Sequence, residues 1–348
     1  MKDYLTDRKQ FVQLGNTKSD YANVTCGVPQ GSILGPLLFL IYVNDMQQAL
    51  THGTARLFAD DTNITYCGKN LNVLKTQAEI DMTSLIDWFK VNKLALNVKK
   101  SNFLIIRSHY KRVPDDFVIK FGTEVLSRVT STKYLGVIID QFFRWNSHIE
   151  SVCKKIAPTV GILCKIRHLV PFYILRQLYY SLIYPHLLYC IEAWGSTYPT
   201  HIKPLVLLQK KIIRIITFSP WQAHTSELFI ATKILPLQKI LFLSICVLVY
   251  SELCGDCQVK FNFNSRSHNH NTRNRSKLAT SLRTSNYYCR SIEHTGAQFF
   301  NFIPDHLKNQ LTVHRFKSKL KFWLFHEKFD IYKLIFPHKT ETNSSSSL

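Results

Sequence analysis

Near Trp145 the hydrophobic period of this chain changes, and with it the kind of structure the sequence can form. Before that point, short runs rich in β-branched and aromatic residues alternate with helical patterns. Residues 55–59, 62–67, 103–107 and 134–139 read as strands. Residues 36–50 and 71–91 read as helices, the second because Leu71, Leu74, Ala78, Leu85, Ile86 and Phe89 recur at near-helical spacing. After Trp145 the strand signals fade, and Ile149, Val152, Ile156, Val160 and Leu163 repeat every three or four residues. The expected class is α+β in front and helical behind.

Prolines punctuate the helical part. Pro158 is expected to kink or divide the helix it lies in. Pro171 is placed to open a second helix through Leu175, Leu178, Tyr179 and Leu182, which should stop near Pro185. Leu205, Leu208, Ile212 and Ile216 give one face of a third helix, with Lys210, Lys211 and Arg214 on the other. Beyond residue 250 the composition turns to Asn, Ser, His and Arg, as in a solvated linker, before a last amphipathic helix around Phe316, Leu320, Trp323 and Leu324. Three regions follow: 1–143, 144–250 and a basic 251–348.

The chain's 348 residues are enough for two to three folding units of roughly 100–200 residues each. Its 44 Lys+Arg against 23 Asp+Glu leave a net charge of +21, which calls for a polyanionic partner, either nucleic acid or an anionic surface. The longest apolar stretches, 36–43 and 240–250, fall short of the roughly 20 residues of a membrane helix and are expected to be buried, so no membrane partner is expected. Residues 1–20 lack the pattern of a secretory signal, so the nine cysteines are expected to be reduced. Cys254 and Cys257 with His268 and His270 could hold zinc, but the His-x-His spacing misses the usual finger pattern, and a coincidence of loop residues is the preferred reading.

Asp60 and Asp61 sit between the first two strand candidates, at the expected tip of a hairpin. Adjacent carboxylates repel unless water or a divalent cation neutralises them, and hard oxygen ligands suit Mg²⁺. Taken alone, the pair reads first as a solvated turn. Upstream, Gly27, Gly31 and Gly35 are spaced four apart around Pro29 and Gln30, where the backbone can approach a ligand closely and Gln30 offers a neutral donor and acceptor. The segment matches neither common nucleotide-binding glycine motif. A purely structural turn into a helix is the competing reading.

The order of segments adds what neither supplies alone. GVPQGSILGPLLFLIYVNDM from Gly27, LFADDTNI from Leu57, KLALNVKKSNFLII from Lys93 and KYLGVIID from Lys133 follow one another at spacings that resemble the reverse transcriptase domain of LINE-type, non-LTR retrotransposons, jockey-like elements in particular. The resemblance continues more weakly through LYYSLIYPHLLYCIEAWG, LQKKIIRIIT and GAQFFNFIPDHLKNQ.

That resemblance implies an α+β, partial right-hand polymerase palm with helices on an antiparallel sheet, followed by a helical thumb and a basic C-terminal region. It implies RNA-directed DNA polymerase activity: Mg²⁺ as cofactor, an RNA template, a DNA primer and dNTPs as partners, and a nuclear, intracellular site of action. By position, Asp60 and Asp61 would bind the metal and Lys100 would handle the pyrophosphate or its proton. Pro29, Gln30, Gly31 and Ser32 would lie beside template and nucleotide, and Tyr134, Leu135 and Gly136 would form the primer grip. Lys154, Lys155, Lys210, Lys211 and Arg214 would meet the nucleic-acid backbone.

The family carries a further catalytic aspartate in a strand upstream of the segment that resembles Tyr4 to Gln10, so this chain is expected to lack it; Asp3, Asp7 and Asp20 lie in no convincing apolar strand. An incomplete two-metal centre, weak activity and an exposed sheet edge are the expected consequences. The competing expectation is a non-catalytic, basic nucleic-acid-binding relic of a transposable element.

Overall fold

A computed structural model describes residues 2–255, 261, 277–280 and 285–336. They divide into two compact units, Met1–Ile105 with His109–Val129, and Ile106–Ser108 with Thr130–Leu348. The class is mixed α+β. The sheet, however, is present among the described residues only as separate two-stranded ladders, five antiparallel and one parallel. Strands of two to five residues leave little backbone with which to recruit a third neighbour.

In the first unit, helix α1 (Leu34–Val43) leads through a 3₁₀ turn at Met46–Ala49 into a hairpin of β1 (Thr54–Phe58) and β2 (Asp61–Thr65). Helix α2 follows over Leu71–Val91, with the Asn70 side chain accepting from the Asn72 N–H at its start. Strands β3 (Asn102–Leu104) and β4 (Ser127–Val129) pair in parallel. The core here is small: Met46, Leu50 and Leu85 are buried, with Ala55, Leu57, Ile64, Met82, Trp88 and Phe121 packed on them. Helix α1 departs from the expectation of burial, since Leu37 is 51% exposed, Leu40 50% and Ile41 63%. An unbroken apolar run marks a helix that wants a covering surface, and the described residues of this unit do not supply one.

The second unit opens with a tight hairpin, β5 (Ser131–Tyr134) and β6 (Val137–Asp140), where a single strand over 134–139 was expected. Leu135 at φ +45° and Gly136 at φ +84° form the turn. Helix α3 (Asn146–Ile166) runs undivided through Pro158, burying Ile149, Val152, Ile156, Val160 and Leu163 on one side. Helix α4 (Phe172–Leu178) starts after Pro171 as expected but does not stop near Pro185. The chain passes through a π-turn at Tyr179–Ile183 into α5 (Tyr184–Leu188), with Pro185 in its first turn. Pro185 has no N–H to give a regular ladder, and the wider π-turn places it where none is needed.

Helices α6 (Pro199–Ile216), α7 (Thr225–Thr232) and α8 (Leu237–Leu253) complete the centre, and α9 (Ile292–Phe302), α10 (Val313–His326) and α11 (Ile331–Ile335) close over it. The core is continuous and aromatic, with Phe242 stacked on Phe299 at 4.8 Å and Tyr250 on Phe316 at 4.1 Å. One buried polar group anchors it: Gln209 donates to the Tyr179 hydroxyl (2.9 Å) and Leu235 carbonyl (3.0 Å) and accepts from the Leu237 N–H (2.8 Å). No single described helix is long and apolar enough to cross a membrane; α7 and α8 together pass on length and composition but meet at 51° and contribute to this core. Cys257, His268 and His270, three of the four zinc candidates, lie outside the described residues.

Candidate functional site

The β1–β2 ladder fixes where the two acids stand. Phe58 pairs with Asp61 and Leu57 with Thr62, so the turn is Ala59–Asp60, and Asp61 already belongs to β2. Ala59 adopts φ +50°, a left-handed conformation that costs an alanine about 1 kcal/mol. Alternate residues Ala55, Leu57 and Ile64 face the small core, while the apex reaches past it. Both carboxylates are exposed, and neither has a hydrogen-bond or ion-pair partner among the described residues.

The base of the hairpin is fastened by two side chains that the sequence reading did not single out. Asp81, fully buried on α2, accepts from the backbone N–H groups of Thr51 (2.9 Å), His52 (3.1 Å) and Gly53 (2.7 Å). Gln47 donates to the Gly53 carbonyl (3.1 Å) and accepts from the Ala55 N–H (2.5 Å). Burial, with the Asp81 carboxylate nearby, pushes the Tyr66 phenol well above its ordinary range. A signal for Asp81 was present in the sequence: it stands three residues after Ala78 and four before Leu85, on the apolar stripe of α2.

The glycine-rich segment is an exposed turn. Gly27 (φ +76°) and Gly31 (φ +79°) take conformations that favour glycine. Ser32 braces the turn, its Oγ donating to the Pro29 carbonyl (2.8 Å) and accepting from the Tyr4 hydroxyl (2.6 Å) and the Gly35 N–H (3.1 Å). Pro29 and Gln30 project from it, exposed. Lys100 ends a 3₁₀ turn at Val98–Lys100 whose start is capped by Asn97, and is also exposed. All these residues belong to the first unit. Among the described residues, no hydrogen bond or ion pair joins Asp60 or Asp61 to Gln30, Ser32 or Lys100.

Tyr134, Leu135 and Gly136 belong to the second unit. The Tyr189 hydroxyl donates to the Leu135 carbonyl at 2.6 Å and holds this turn against α5. The basic residues differ in their surroundings. Lys154 is paired with Glu150 at 2.8 Å, and that contact holds the Glu150 carboxyl below its usual range. Lys155, next in sequence, is exposed and lines a cavity. Lys211 and Arg214 lie 5.8 and 5.7 Å from the ring of Trp221, itself 66% exposed. Arg167 sits 5.1 Å from the Phe218 ring. Lys210 is half-buried on the same helix as Lys211. The exposed aromatics Trp221 and Phe218, missed in the sequence reading, are marked only by their neighbouring cations.

Among the described residues no group of three or more His, Cys, Asp or Glu side chains converges as a metal site. Asp60 and Asp61 by themselves offer free, exposed, hard oxygen ligands, a set that fits one Mg²⁺ that keeps most of its waters. A two-metal centre needs a further bridging ligand.

Residues 1–139 match the family described as reverse transcriptase (RNA-dependent DNA polymerase). Among curated proteins, the probable RNA-directed DNA polymerase from transposon X-element of Drosophila melanogaster is 26% identical over 235 residues, 66% of this chain and 26% of the relative. The RNA-directed DNA polymerase from mobile element jockey of Drosophila funebris is 26% identical over 241 residues, and the probable RNA-directed DNA polymerase from transposon BS of Drosophila melanogaster 25% over 241, with the same coverage. The chain thus spans about a quarter of the length of the curated relatives it matches. No solved structure matches. The chain carries a reverse transcriptase domain related to those of the jockey, X-element and BS non-LTR retrotransposon polymerases.

Proposed function

We propose that this chain is a module of an RNA-directed DNA polymerase that adds dNTPs to a primer 3′-hydroxyl on an RNA template. Residues 1–143 would be palm, 144–250 a helical thumb and 251–348 a basic C-terminal region. The observation that carries the reading is the hairpin apex, where two unpartnered carboxylates are held out on a ladder whose base is locked by Asp81 and Gln47. Mg²⁺ bound there would supply charge stabilisation for the attacking and leaving oxygens. The protein's own part is positional: Asp60 and Asp61 hold the cation, Lys100 offers an ammonium for the pyrophosphate, and the exposed turn at Pro29–Ser32 presents backbone and the Gln30 amide to template and nucleotide. Tyr134–Gly136 would carry the primer end, and Lys154, Lys155, Lys210, Lys211 and Arg214 the backbone phosphates.

A second reading is favoured by a different observation. The exposed Trp221 with Lys211 and Arg214, together with the +21 net charge, suits single-stranded nucleic acid without any chemistry. RNA-templated primer extension by the full chain separates the two. Extension lost on Asp60→Asn supports the polymerase; extension that survives Asp60→Asn and Asp61→Asn together refutes the assigned site. Tight binding of primer-template with no extension leaves the binding module.

A further inference from the structure

Two helices from distant parts of the second unit bring their cations to one ring. The guanidinium of Arg176 on α4 lies 5.7 Å from the centre of the Tyr180 ring, and the Lys321 ammonium on α10 lies 5.8 Å from it. The ring is fixed in place, because the Tyr180 hydroxyl donates to the Lys233 carbonyl at 2.9 Å. Helix α10 buries Phe316, Leu320 and Leu324, which sets Lys317 and Lys321, four residues apart, along the edge of that buried stripe. Three positive charges therefore gather between α4 and α10.

No carboxylate pairs with any of them among the described residues, where the ion pairs are Asp87–Lys90, Glu150–Lys154 and Asp305–Lys308. Burial first, and then the charges of Arg176 and Lys317, hold the Lys321 ammonium below its usual range. Like charges held together carry a cost that a bound anion would offset. Lysines on a helix are commonly just a solvated face, and that reading fits Lys319, exposed on the far side of α10. It does not fit Lys321, half-buried with its ammonium on an aromatic ring.

A ligand can reach this group. The Arg176 Nε is closed off, but the outer guanidinium nitrogens and the Lys321 Nζ are not. Those outer nitrogens present the planar fork that meets two phosphate oxygens at once, and an ammonium adds a point charge beside it. Three cations favour the more highly charged anion, and a terminal phosphate carries about −1.5 to −2 where a phosphodiester carries a single charge. We infer that Arg176, Lys317 and Lys321 form a binding site for a phosphate dianion, either the free ion or the terminal phosphate of a nucleic-acid strand. None of the three is among the residues assigned above to metal, template or primer, and the site lies wholly in the second unit.

Two arms at constant ionic strength test it. In the first, fluorescence anisotropy compares the full chain's affinity for one short single-stranded DNA bearing a 5′-phosphate or a 5′-hydroxyl. The phosphate should raise affinity about tenfold, and Lys317→Gln and Lys321→Gln should each bring that preference below about threefold. Lys319→Gln removes the same charge from the other side of α10 and should leave the preference intact. Lys317 and Lys319 are exposed, so both of these variants keep the fold. In the second arm, inorganic phosphate is titrated into the ¹⁵N-labelled chain, and the amides of residues 317–321 should shift saturably in the wild type and far more weakly in Lys321→Gln. Saturation by the free ion without a 5′ preference assigns an ion site; a 5′ preference without it assigns a strand end. Neither effect, or an effect that Lys321→Gln leaves unaltered or that Lys319→Gln reduces as much, overturns the inference. If neither oligonucleotide binds, the nucleic-acid reading of the chain fails and the ion titration alone decides the site.

Discussion

Replacing Asp81 by alanine should loosen the hairpin that carries Asp60 and Asp61 while leaving the helical unit intact. The carboxylate is fully buried and accepts three backbone N–H groups in a row, Thr51, His52 and Gly53. Each buried donor left unmet costs about 1–3 kcal/mol. Thr51 and His52 are exposed and recover water, whereas Gly53 is buried, so the loss should lie near 2–4 kcal/mol rather than at three times the single-bond value. Asp81→Asn keeps one acceptor oxygen and should cost about half as much. Amide hydrogen exchange reads this by region: protection across 54–65 should fall roughly 30- to 1,000-fold in Asp81→Ala, the same free energy expressed as an opening constant. Amides in Leu237–Leu253 should not change. Protection of the hairpin within threefold of the wild type would refute the claim that Asp81 anchors it.

Gln209→Leu strands the Tyr179 hydroxyl, the Leu235 carbonyl and the Leu237 N–H, and should lower stability of the helical unit by about 2–4 kcal/mol in urea unfolding. His148 should make that unit acid-sensitive. Its folded pKa lies below the unfolded 6.5, so its contribution is fully present above about pH 6.5 and is lost as pH falls toward the folded value; His148→Gln should flatten that part of the pH–stability curve. Trp221→Ala should weaken single-stranded DNA binding by about 1–3 kcal/mol, read by fluorescence anisotropy. The affinity of the full chain should fall linearly in log–log form with added salt, and a flat salt response would contradict phosphate contact.

The sequence was most legible where one period or one turn chemistry governs. Helix α2 occupies Leu71–Val91, the range its apolar spacing marked, and the FADD segment is a hairpin apex because two short apolar runs flank a pair of turn-prone acids. The second hairpin hid itself by its residues: Leu135 at φ +45° is a poor turn former, and only Gly136 signalled the reversal inside an otherwise continuous β-branched run. Pro185 was read as a stop because the π-turn that accommodates it has no sequence signature. Helix α1 was expected in the core from its composition, yet hydrophobicity specifies only that a surface wants covering and not what covers it. The apex acids and the glycines Gly27 and Gly31 showed themselves as turn residues. The supports did not, because a buried Asp81 and an exposed Gln47 matter through backbone groups that no side-chain pattern reveals.

Manganese binding at the hairpin apex puts the central claim to the most direct test. In ¹⁵N spectra of the full chain, substoichiometric Mn²⁺ should broaden the amides of Ala59, Asp60 and Asp61 first, and Mg²⁺ should reverse the effect by competition. Asp60→Asn should remove it. Broadening centred elsewhere, or unaltered in Asp60→Asn, would contradict a metal-holding role for these two carboxylates.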